Sequence, residues 1–166
     1  MNNNFKIITL TGALAIFAIS STSSFADAKH FTKAARSAES SYDFRTATMN
    51  IYKWYLSPMG AMVKGKVDFN KHAFAEYANG LLLASKFDLI EGFPEDSGVM
   101  EVEDSVAKDL IWEKPKDFLK AFKTFQEGAQ KLADIVKEDD QEAIKAQFKN
   151  TSKACSGCHK KFRSKK

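Results

Sequence analysis

The sequence is poor in the residues that interrupt regular structure and in those that crosslink it. It has three prolines, eight glycines and only two cysteines in 166 residues. Residues 31–57 contain neither proline nor glycine, so nothing there breaks a helix. No stretch alternates apolar and polar residues, with β-branched side chains, between turn signals, which argues against a sheet. No internal repeat or low-complexity tract is present. No charge sign dominates either: 25 basic against 21 acidic residues leave +4, too near balance to indicate a nucleic-acid partner. No apolar run reaches the ~20 residues that span a bilayer.

The main apolar run, Ile7 to about Ile19, has the neighbours expected of an export signal. Lys6 precedes it and small residues follow in SSTSSFADA, the order of a secretory signal peptide. Cleavage is expected after Ala26 or after Ala28, making residues 1–26 the leader and 27–166 the mature domain. That remainder suits one domain with one core. The expected location is a bacterial periplasm, with no membrane contact once the leader is removed. An oxidising compartment favours disulfides, so two neighbouring cysteines there need a fate other than free thiols.

Four stretches read as helices. The first runs from residue 31 to about 57 and ends before Pro58. The second spans about 70–90, with Phe74, Tyr77, Ala78, Leu81, Leu82 and Ser85 at three- and four-residue steps. Gly92, Pro94 and Gly98 then break the pattern. Six acids and no base fall between residues 91 and 107, which reads as an exposed loop. In the third helix Phe118, Ala121, Phe122, Phe125, Ala129, Leu132, Ala133 and Val136 form one apolar stripe, read as core rather than as a cofactor box. KEDD ends it, and a fourth helix begins near Asp140. Amphipathic helices with short connections imply an all-α chain folded as an antiparallel four-helix bundle.

The last helix carries the chemistry. Ile144, Phe148, Thr151, Cys155, His159 and Phe162 step by three and four residues along one face. Cys158 lies roughly 60° from that stripe, so a buried face presents two thiols and an imidazole together. A redox dithiol belongs at a helix N-terminus, where the dipole lowers a thiol pKa, and here a long helical stretch precedes Cys155. A structural zinc site needs four ligands, and His72 or His30 does not complete a second ligand pair. Covalent haem fits best. Two thiols add to the haem vinyl groups, and the adjacent His159 becomes an axial iron ligand.

With only seven residues after His159, a group for the other haem face must come from earlier in the chain. Here the sequence resembles the cytochrome c′ family, the class II c-type cytochromes. The resemblance rests on FRTATM (44–49), GAMVKGKVDFN (60–70), GFPEDSG (92–98), LIWEKPKDF (110–118) and CSGCHKKFR (155–163), in the family's order. It implies a four-helix bundle, usually a homodimer, with one haem c per chain bound through Cys155 and Cys158. His159 matches the proximal ligand and Arg163 a residue beside the proximal face. Met49 matches the position covering the distal face, and Phe93 an aromatic lining the pocket. Arg45 matches a residue suited to bidentate pairing with a haem propionate. The resemblance further implies five-coordinate, high-spin iron that binds nitric oxide and carbon monoxide, with electron transfer or nitric oxide protection as its role; no histidine or acid is placed for peroxidase or oxygen chemistry, so no enzymatic activity is expected. The alternative within the same class is a low-spin electron carrier using Met49 as sixth ligand.

Other residues read as structural. Met59 and Met62 are expected in core or turn packing, Trp112 as a core anchor, and His72 as a solvated helix start. Met100 sits in the acidic loop. Five bases follow His159, where they complement the helix dipole and could steer an acidic redox partner. Intact-mass spectrometry of protein from a host with haem-attachment machinery is expected to show loss of residues 1–26 or 1–28 and gain of one haem. A chain retaining Met1 would contradict the leader assignment.

Overall fold

The computed structural model describes residues 37–165; the expected leader and His30 lie outside them. Ser37 caps the first helix, α1 (Ala38–Val63), accepting from the Ser40 amide at 3.1 Å. The expected stop before Pro58 is corrected, because α1 continues through the ring. Met59 and Met62, just beyond it, are buried in the core. Burying two such side chains contributes roughly 3–6 kcal/mol, enough to offset the cost of about 3 kcal/mol for an interior proline.

Asn70 caps α2 (Lys71–Ser85), accepting from the Ala73 amide at 3.0 Å. The helix ends sooner than its apolar pattern suggested, and a 3-10 turn follows at Leu89–Gly92. At Gly80 any Cβ would collide with the Tyr55 ring, so a glycine is what lets α1 and α2 approach there. A short helix that the sequence pattern did not reveal, α3 (Leu110–Glu113), leads into α4 (Pro115–Ile135), with proline in the first turn. Asp140 caps α5 (Gln141–Phe162) through the Ala143 amide at 2.9 Å, and His159, Lys160 and Lys161 occupy its last turn.

Helix α1 packs on α2, α2 on α4 and α4 on α5, while α1 and α5 touch little. The four long helices form the expected bundle. Phe74, Leu81, Leu132 and Ile144 are fully buried at its centre. Between α4 and α5, Thr151 Oγ1 donates to the Gly128 carbonyl at 3.0 Å. No helix among the described residues is long and apolar enough to cross a membrane.

The acidic segment is not the simple exposed loop expected. Its six acidic residues are exposed, with Glu101 Oε2 accepting from the Gly98 amide at 2.9 Å, but Gly92, Phe93, Pro94, Ser97, Gly98, Val102, Ser105 and Ala107 are buried. The cause is Arg45 of α1. Its Nη1 donates to the Gly92 carbonyl at 2.8 Å and to Ser97 Oγ at 2.9 Å. Its Nη2 donates to the Ser97 carbonyl at 2.6 Å and to Ser105 Oγ at 2.8 Å. The guanidinium also lies 5.0 Å from the Phe93 ring centroid. Trp112 Nε1 donates to the Phe93 carbonyl at 3.1 Å, a second tie on the same segment. A short bridge of Ala107 with Arg163 joins the loop to the end of α5.

Arg45→Ala is therefore expected to lower the unfolding free energy by about 3–5 kcal/mol, measured by guanidinium denaturation. Arg45→Lys should recover only part of this, since an ammonium cannot make the forked contacts. A loss under about 1 kcal/mol for the alanine variant would mean that the loop holds itself.

Candidate haem-binding site

A cavity of about 670 Å³ lies between α1, α4, α5 and the 92–107 loop, where α1 and α5 fail to pack. That volume is within the range of cofactor pockets. Every site residue expected from the sequence lines it: Arg45, Met49, Phe93, Cys155, Cys158, His159 and Arg163. They come from three parts of the chain. Arg45 and Met49 are one turn apart on α1, Phe93 belongs to the anchored loop, and the rest lie at the end of α5.

The α5 residues reach the cavity because the helix is seated firmly before them. Ile144, Phe148 and Thr151 are buried on the same face, and Phe162 is buried beyond His159. Cys155 and Cys158 are half-buried and unpaired. The Cys155 thiol leans back along the helix, 3.6 Å from the Thr151 carbonyl. Burial pushes the Cys155 thiol up from its ordinary value and the Cys158 thiol up to about 11, the latter helped by Cys155. Protonated thiols in an apolar pocket are a poor redox dithiol. Burial, then the neighbouring Arg163, lowers the His159 pKa and favours neutral imidazole, the form that ligates iron. Among the described residues no group of three His, Cys, Asp or Glu side chains could hold a metal ion. His72 stands exposed at the start of α2, 3.8 Å from Glu76. The donor set, two thiols and an imidazole on one wall of an apolar cavity, fits a covalently attached haem.

Two expectations are corrected here. Arg45 was expected to pair with a propionate in bidentate fashion. Each of its terminal nitrogens already donates to two acceptors in the loop, so no free N–H pair remains for a carboxylate. Burial pushes its pKa down to about 10, with Tyr42 opposing, which keeps the cation protonated at neutral pH. The phenylalanine stripe was expected to be core alone. Phe118, Phe122 and Phe125 also line the cavity, and Phe118 joins Phe93 and Phe162 in edge-to-face contacts at 4.9 and 5.2 Å. The other structural readings hold in place: Met59 and Met62 are core, Trp112 is half-buried, and Met100 is exposed.

Tyr52 also lines the cavity and was not anticipated. The available signal was spacing: Arg45, Met49 and Tyr52 step by four and three along α1, the same rule that grouped the α5 residues.

Comparison with known proteins agrees with this arrangement. The profile of the family described as Cytochrome C′ matches residues 40–163. Cytochrome c-554 of Cereibacter sphaeroides is 28% identical over 131 residues, covering 79% of this chain and 98% of that protein. Cytochrome c prime from Shewanella frigidimarina is 32% identical and superposes with a TM-score of 0.73, covering 78% of this chain and 98% of that one. A nitric oxide complex of a cytochrome c prime mutant from Alcaligenes xylosoxidans, 21% identical, shares the fold, with a TM-score of 0.69 over 81% of this chain and 100% of that one. The family match spans the bundle from the first turn of α1 to the residue after α5, and with it the two haem-attachment cysteines, so the chain belongs to the cytochrome c′ family and is a c-type haem protein carrying covalently bound haem c.

Proposed function

We propose that this protein is a periplasmic gas-binding cytochrome c′, with electron transfer as its second capacity and no enzymatic role. The observation that carries the reading is the cavity itself, which brings an imidazole and two thiols of α5 together with Met49 of α1 and the phenylalanines of α4. Haem, when bound, supplies an iron that takes a diatomic ligand or an electron. Cys155 and Cys158 would hold it by thioether bonds, and His159 would supply the iron ligand. Met49, on the α1 wall of the same cavity, would limit the access of water and of nitric oxide or carbon monoxide to the iron. Phe93 and Phe118 complete the apolar wall. Arg163 stays beside His159 at the end of α5. The Alcaligenes protein of the same fold, solved as a nitric oxide complex, supports the ligand class.

Met49 also supports a second reading. It is half-buried and lines the same cavity as His159, and a thioether is a competent iron ligand. On that reading the iron is closed by Met49 and the protein only carries electrons. The visible spectrum of the dithionite-reduced protein separates the two. A broad unresolved band with ready carbon monoxide uptake is the expected result. Sharp split bands with sluggish uptake would establish the methionine-ligated carrier instead.

The homodimer reading is supported by apolar side chains left exposed on two neighbouring helices. Ile51 and Trp54 stand one turn apart on α1, with Trp54 73% exposed. Leu83 of α2 is 65% exposed, and Phe87 lies just beyond that helix. Lys160, Arg163 and Lys165 are exposed at the end of α5, where they suit an acidic redox partner. Sedimentation at micromolar concentration should show a dimer, and Trp54→Lys with Leu83→Lys should shift it to monomer. An unchanged dimer in the double variant would place the interface elsewhere.

A further inference from the structure

The charges of the α4–α5 pair are sorted end from end. Residues 114–126 hold four bases and one acid, and residues 146–165 hold six bases and no acid. Between them, residues 127–145 hold six acids and three bases. The two helices lie side by side: Lys161 pairs with Asp117 at 2.7 Å, and Thr151 meets Gly128 further along. Both basic segments therefore share the end of the bundle that carries Cys155, Cys158 and His159. The acids gather at the α4–α5 turn.

On α5, Lys149, Lys153 and Lys160 are exposed and lie opposite the buried stripe of Ile144, Phe148 and Thr151. Lys116 and Lys120, one turn apart, are exposed on α4. Ser156 and Gly157, between the two cysteines, are exposed on the same stretch of α5 as Lys153 and Lys160. A Cβ at Gly157 would meet nothing within 4 Å. A partner can thus reach the helix backbone beside Cys158 with no side chain in the way.

Helix electrostatics does not account for this sorting. Cations complement a helix C-terminus, which here covers Lys160 and Lys161. Lys149 and Lys153 stand in mid-helix, and Lys114 and Lys116 stand at the start of α4, where the dipole disfavours positive charge. The 91–107 loop meets the end of α5 at the Ala107–Arg163 bridge and exposes its six acids. An acidic body is therefore drawn to the helices and repelled from the loop, which fixes how it docks.

We propose that the outer face of α4 and α5 is the docking site of an acidic one-electron redox protein, seated over Ser156 and Gly157. This rests on the electron-transfer capacity proposed above and locates its partner. One electron passes between the partner and the haem iron; one is oxidised, the other reduced, and no bond is made or broken. A patch of one sign raises the association rate of an oppositely charged partner by about 10- to 1,000-fold at low salt.

The test uses ferric holoprotein and, as probe, reduced flavodoxin, an acidic flavoprotein that donates single electrons. Stopped-flow absorbance at the haem band follows the reaction. The second-order rate should fall at least about tenfold between roughly 10 mM and 500 mM sodium chloride. Lys120→Glu with Lys153→Glu should lower the low-salt rate about tenfold and flatten its salt dependence. Lys64→Glu with Lys66→Glu makes the same change in net charge just before α2, whose Lys71 pairs with Asp139 at the α4–α5 turn. That control should stay within about twofold of wild type. Rates that ignore salt and agree in all three proteins would overturn the docking face and leave electron transfer standing. Equal losses in the two double variants would assign the effect to net charge and overturn it too. Salt-sensitive sedimentation with phosphatidylglycerol vesicles, alongside flavodoxin rates indifferent to Lys120 and Lys153, would give the face to an anionic membrane instead. A wild type that dithionite reduces and flavodoxin does not would remove the electron-transfer reading together with the proposal.

Discussion

A single buried cation organises the end of the bundle where the site lies. Arg45 is 6% exposed, and its guanidinium donates to carbonyls and hydroxyls. An unpaired buried charge costs several kcal/mol. Four charge-assisted hydrogen bonds and the Phe93 face offset that cost. Because every acceptor belongs to residues 92–105, satisfying the arginine and folding the loop are one event. The loop then closes one wall of the cavity and seats Phe93 against Phe118. Its acidic side chains remain exposed at the surface.

The cavity follows from where the bundle is allowed to be loose. Three helix seams are packed by large apolar side chains or by close backbone approach at Gly80 and Gly128. The fourth, between α1 and α5, holds the site instead. Haem c in this family is attached by covalent bonds, so retention of the group does not depend on the tightness of these walls. To those walls α1 contributes a soft thioether, Met49, and the ring of Tyr52. The same helix carries Arg45, so one stripe of α1 both anchors the loop and faces the occupant.

Local rules read the chain well where local rules govern. The apolar period of α4, the Asp140 cap of α5 and the face shared by Thr151, Cys155 and His159 are properties of spacing, and the structure agrees with them. They fail where distant contacts intervene. Pro58 should end α1, yet core burial of Met59 and Met62 carries the helix through it. The acidic run reads as solvated loop because composition reports its carboxylates and not its backbone, whose partners come from Arg45, 47 to 60 residues away. Arg45 itself was legible as a pocket residue, but which acceptors it takes was not.

By itself the sequence determined the all-α class, the helical stripes and the haem chemistry, because a Cys-x-x-Cys-His on one helix face brings its groups together within a single turn or two. Only the tertiary structure decided which α1 side chains meet that face. It also decided that Arg45 serves the loop rather than a propionate, and that the Tyr52 hydroxyl is enclosed without a hydrogen-bond partner among the described residues. Those outcomes depend on how α1, the loop and α5 pack together, and no local periodicity encodes the hydrogen-bond accounting of groups far apart in the chain.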